Sequence, residues 1–139
     1  MHLRSQILQE NSRAHTLKIS AWVSSDPARL AQLVDLFLHD EYRVVQRAAW
    51  ILSYVAQKQP EWMQPHLPAM VKRMEDSGIP VAVKRNVTRV LQFLPIPPAL
   101  HGQVMNHCFE LLVNPEETIA VRAFSMTVLA NLAKEYPDI

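Results

Sequence analysis

Val45-Gln46-Arg47-Ala48-Ala49-Trp50-Ile51-Leu52-Ser53-Tyr54-Val55-Ala56 is the stretch that decides the fold, because its apolar positions return 38 residues later, from Val83, and again from Val121. The step aligns Ala49 with Val87 and Ser125, and Leu52 with Val90 and Val128. It continues through Ser53, Leu91 and Leu129, then Ala56, Leu94 and Leu132. Offsets of 0, 4, 7, 8 and 11 from each valine trace one stripe of an α-helix. The preceding segment repeats with the same step, aligning Leu33 with Val71 and Phe109, and Leu36 with Met74 and Leu112. Each unit therefore reads as a helix, a short turn and a second helix. A pair this short cannot bury its own stripe, so neighbouring pairs must stack.

Outward from the repeat, helix signals recur and strand signals do not. No run of alternating β-branched residues is bounded by turns. The expected helices are 3–11, 13–24, 27–38, 41–57, 66–76, 80–93, 98–113 and 116–135. Two starts carry specific signals: Ser25-Asp26-Pro27, a cap before a first-turn proline, and Asn114-Pro115-Glu116-Glu117, which adds acids facing the helix dipole. Pro65, Pro80 and Pro95-Ile96-Pro97-Pro98 interrupt the pattern where a helix must end. One step back from Val45, the positions Ile7, Asn11, Ala14, His15 and Lys18 do not form the stripe. Residues 1–26 are thus a divergent unit or an N-terminal helical cap, ahead of pairs at 27–58, 65–94 and 98–136 in one domain spanning 1–139.

The paired helices resemble the HEAT and armadillo class of repeats over residues 27–136, with a turn acid six residues before a base that follows the valine. Glu116 and Val121-Arg122 show that pattern in the third unit, while Gly78 holds the acid position before Val83-Lys84, and Asp40 precedes Val45-Gln46 with Arg47 one place late. The resemblance implies an all-α, right-handed α-α superhelix of about three 38-residue pairs plus the N-terminal cap. It also implies that the second helices line a concave surface used for binding.

Composition narrows the function classes. The 139 residues are 49% hydrophobic with a formal net charge of +1, too apolar and too weakly charged for disorder. Two glycines against ten prolines leave little material for the phosphate-cradling loops of nucleotide enzymes. One cysteine, Cys108, cannot close an internal disulfide, and the N-terminus lacks the apolar stretch of a secretory signal. No apolar run approaches a membrane span, so the expected setting is the cytoplasm.

The helix stripe also identifies what points away from it. Offsets of 2, 5, 6 and 9 give Arg47, Trp50, Ile51 and Tyr54 in the first unit, and Arg85, Thr88, Arg89 and Gln92 in the second. The third unit offers only Ala123, Met126, Thr127 and Ala130. Arg47, Trp50, Tyr54, Lys84, Arg85 and Arg89 are the candidate strip, since Trp, Tyr and Arg carry most interface energy. The competing expectation is that Gln46, Lys84 and Arg122 form a ladder to turn acids and carbonyls, with Trp50 and Ile51 packed against a neighbouring repeat. Charge follows the strip: residues 41–90 hold eight basic and four acidic side chains, whereas 91–139 hold two and five. The expected partner is a protein or peptide, acidic or amphipathic-helical.

The last helix departs from this plan. Ile119, Ala123, Met126, Ala130 and Ala133 add a second apolar stripe beside the repeat stripe, and Phe124 widens it. A helix apolar nearly all round expects cover on more than one side. Either the natural chain continues past Ile139, or another protomer or a partner covers this end.

Enzyme chemistry finds little support. Among six histidines only His107-Cys108, near His101 and Glu110, resembles a ligand cluster, and adjacent helix residues point about 100° apart. No His-Glu-x-x-His, Gly-x-Ser-x-Gly or P-loop occurs. No metal or other cofactor is expected. HEAT-like DNA alkylation-repair glycosylases share the architecture and act through a Trp and Asp pair on a basic face. Trp50 with Arg47 and Arg85 resembles such a face, but no carboxylate lies on it. The resulting expectation is a non-enzymatic interaction module, with a nucleic-acid-binding protein related to those glycosylases as the alternative.

Overall fold

A computed structural model describes residues 1–136, and these residues are helical with short connections. Among the described residues nine α-helices follow one another: α1 (Leu3–Gln9), α2 (Arg13–Val23), α3 (Pro27–His39), α4 (Tyr42–Lys58), α5 (Pro60–Met63), α6 (Leu67–Arg73), α7 (Val81–Leu91), α8 (Pro98–Val113) and α9 (Ile119–Ala133). A 3-10 turn, Gln64–His66, joins α5 to α6. The starts are set by local chemistry. Ser12 Oγ accepts from His15 N–H at 3.1 Å to open α2, and Asp26 Oδ1 accepts from Ala28 N–H at 2.9 Å to open α3 ahead of Pro27.

Two layers result. The second helices α2, α4, α7 and α9 contact one another in that order. In the other layer α1 contacts α3, and α6 contacts α8. Within pairs, α1 meets α2, α3 meets α4, and α8 meets α9. This is an α-solenoid, and α1 and α2 occupy the same layer positions as the later pairs. The core lies between the layers. Every member of the five repeat columns is buried, from Val45, Val83 and Val121 to Ala56, Leu94 and Leu132. Leu33, Phe37 and Leu30 of α3 enter it fully.

The structure departs from expectation at two places. An unexpected turn of helix, Pro60–Met63, precedes the helix expected at 66–76, which is shortened to Leu67–Arg73 and ends before a turn. Gly78 sits in that turn at φ +72°, the left-handed region, which explains a glycine where the other units carry an acid. The helix expected from 116 starts instead at Ile119. Asn114-Pro115-Glu116-Glu117 closes a turn, with Asn114 Oδ1 accepting from Glu116 N–H at 3.0 Å, and Thr118 Oγ1 caps the helix by accepting from Val121 N–H at 3.2 Å.

Candidate functional site

The strip expected on the second helices divides in two. Trp50 and Tyr54 of α4, and Arg85 and Arg89 of α7, are half-buried on adjacent helices. Arg85 and Arg89 form no ion pair with any described residue. The buried Nε of Arg85 has no hydrogen-bond partner among them. Ile51 and Thr88, assigned to the same face by helix angle, are instead 2% and 1% exposed. Thr88 borders Val71 of α6 and Val104, His107 and Cys108 of α8, so this part of the assigned arc turns into the stack.

The other two strip residues are already engaged. Arg47 Nη1 donates to Ile7 O and Leu8 O, both at 3.1 Å, closing the C-terminal end of α1. Lys84 Nζ lies 2.9 Å from Glu117 Oε2, a carboxylate only 7% exposed in the turn before α9. Arg122 Nε donates to Leu112 O at 3.1 Å at the end of α8. Lys84 and Arg122 thus bond a turn acid and a carbonyl, while Gln46 donates to Tyr42 Oη within its own helix at 2.9 Å. Arg73 does for α3 what Arg47 does for α1, donating from Nε to Leu38 O at 3.1 Å. Helix ends leave carbonyls without intrahelical partners, and a guanidinium there also matches the negative end of the dipole.

At the far end of the stack α8 and α9 enclose an apolar groove of about 300 Å3, lined by Phe109, Leu112, Met126, Leu129, Ala130 and Ala133. Sequence reasoning found the α9 side of this groove through its second stripe. It placed Phe109 in a core column instead, where the structure leaves the ring 47% exposed. The missing signal was position: Phe109 is the last member of its column.

The histidines and the cysteine that the sequence set side by side have different surroundings. Cys108 is buried and its thiol is pushed up to about 12 by burial, with a hydrogen bond from Ser125 acting in the other direction. His107 Nε2 lies 3.6 Å from Glu75 Oε1, between α8 and the end of α6. His101 is buried, with Nε2 2.7 Å from Ile96 O and Nδ1 2.8 Å from Tyr136 Oη. Among the described residues no three His, Cys, Asp or Glu side chains are grouped to hold a metal. None of the described helices is long and apolar enough to cross a membrane.

A family model described as a HEAT repeat domain matches residues 3–139. The chain belongs to the HEAT repeat family. No curated protein and no solved structure shows significant similarity to it. The match begins at Leu3, so the HEAT repeat domain takes in α1 and α2 even though their residues leave the stripe that marks the later units. In this HEAT repeat chain, then, Trp50, Tyr54, Arg85 and Arg89 are the strip residues whose side chains form no hydrogen bond or ion pair with a described residue, whereas Arg47 and Lys84 do.

Proposed function

We propose that this HEAT repeat chain is a non-enzymatic binding module that takes an acidic or amphipathic protein segment across α4 and α7. The observation that carries the reading is the presence of two half-buried aromatic side chains on α4 and, on the adjoining α7, two half-buried arginines that have no anionic partner among the described residues. Aromatic and guanidinium groups side by side give large contact area together with directional hydrogen bonding to carboxylates. Arg47 and Lys84 are left out of the surface, since their charged groups are engaged by α1 carbonyls and by Glu117. A nucleic-acid ligand is a weaker fit, because two free arginines neutralise few phosphates.

The test is affinity capture with the tagged protein and with a Tyr54→Ala, Arg85→Ala, Arg89→Ala variant whose helical circular dichroism matches the parent. Proteins that co-purify with the parent in nuclease-treated extract should be lost from the variant. An unchanged set of proteins would show that the surface lies elsewhere, and a set that disappears on nuclease treatment alone would point to nucleic acid.

A further inference from the structure

The four second helices, α2, α4, α7 and α9, carry nine of the chain's 14 lysines and arginines and none of its 13 aspartates and glutamates. The formal total of +1 therefore hides a layer that is basic throughout. On α4 Arg43, Arg47, Trp50, Tyr54 and Lys58 are exposed or half-buried and fall within one arc of about 80°. On α7 Val81, Arg85, Arg89 and Gln92 do the same. The 38-residue step pairs Arg43 with Val81, Arg47 with Arg85 and Tyr54 with Gln92, so the two stripes face the same way on helices in contact.

Arg47 is engaged by the end of α1. Arg43 and Lys58 are exposed, Arg85 and Arg89 are half-buried, and none of the four is paired with a described acid. Arg85 shares a column with Arg47 yet closes no helix end, and its buried Nε has no acceptor among the described residues. Such an N–H has given up water without gaining a partner, and an acceptor arriving from outside would supply one. The stripes also choose between the two kinds of segment. An amphipathic helix needs a continuous apolar groove, and here its ridge would meet guanidinium and amide groups with Trp50, Tyr54 and Val81 as the apolar contacts. Carboxylates meet the four cations directly. From Arg43 to Lys58 α4 rises about 22 Å, the reach of about seven residues of extended chain, in which alternate acids supply about four carboxylates. Duplex DNA of that length carries about thirteen phosphate charges per face and strand pair combined, far more than four cations neutralise.

We infer that the segment bound across α4 and α7 is acidic and extended, with carboxylates on Arg43, Lys58, Arg85 and Arg89 around Trp50 and Tyr54; this rests on the reading of that surface as the binding site. Nuclear magnetic resonance of the 15N-labelled protein tests it, with a capped heptapeptide of alternating Glu and Ser as the probe. Shifts should gather on α4 and α7, include the Nε–H signal of Arg85, and shrink as salt rises. Arg43→Glu and Lys58→Glu should each weaken binding about threefold to tenfold. Lys72→Glu, the same change of charge at an exposed position of α6, should leave it unchanged. A heptapeptide that shifts nothing on α4 and α7, or equal weakening by all three substitutions, overturns the inference. An 18-residue amphipathic helix of Leu and Gln, or a 12-base-pair duplex, that binds these helices more tightly than the heptapeptide overturns it in favour of that ligand. If the heptapeptide fails while captured proteins are still lost from the Tyr54→Ala, Arg85→Ala, Arg89→Ala variant, the surface stands and only its acidic ligand falls.

Discussion

Arg4 and Asp40 join the first helix to the turn before α4 by two parallel bonds, Nε to Oδ2 at 3.0 Å and Nη2 to Oδ1 at 3.1 Å. The bond from Arg4 is the main reason the Asp40 carboxyl sits below its ordinary value. Partial burial opposes the shift, and the Glu41 N–H and the Arg4 charge add to it. The consequence for pH has a definite sign. Folding holds the carboxyl ionised more strongly than the unfolded chain does, so the stabilisation is complete above the ordinary carboxylate value. It is lost as pH falls through the lowered folded value. Asp40→Asn should therefore flatten the acid side of a plot of urea midpoint against pH, with only a small loss at neutrality for a pair this exposed. Acid limbs that run parallel in parent and variant would remove the pair from the account. His66, lowered by burial alone, adds to the same limb and is unaffected by the substitution.

Helix α9 shows how far local signals reach. Asn114-Pro115-Glu116-Glu117 carries a cap residue, a proline and two acids, a signature that serves a turn and a helix start equally well. The choice falls to Thr118, whose hydroxyl bonds Val121 N–H. Replacing Thr118 by alanine should cost about 1 kcal/mol in chemical denaturation, the usual worth of a cap. Asn114→Ala should cost clearly less, and equal losses would mean that the turn and the cap are one unit. The same limit governs the rest of the chain. Columns such as Val45, Val83 and Val121 could be read directly, because a helix stripe and a constant step are properties of neighbouring residues. The engagement of Arg47 could not, since its partners, Ile7 O and Leu8 O, lie 40 and 39 residues away and belong to a helix outside the repeat pattern. Of the candidate strip, the residue types were readable in the sequence, and the division between free and engaged guanidinium groups was not.

In the whole molecule, helix pairs meet mainly their neighbours, so stability is shared along the stack rather than held in one centre. Leu52 of α4 and Leu132 of α9 are both buried, yet they occupy different places in that stack. Leu52→Ala should cost about 2–5 kcal/mol and lower amide protection throughout, because α4 contacts α1, α2, α3 and α7. Leu132→Ala should open α8 and α9 locally while α2 to α4 keep their protection in hydrogen exchange. Uniform loss in both variants would show that the array unfolds as one unit. The Arg47 clip also carries a consequence for the order in which the molecule is made. During synthesis α1 is complete at Gln9, but its end carbonyls have to wait for a guanidinium that emerges dozens of residues later. Those of α3 wait likewise for Arg73. Until then each new helix is held open at its C-terminal end, so the nascent chain should close unit by unit in the direction of translation, each arginine sealing the pair before it.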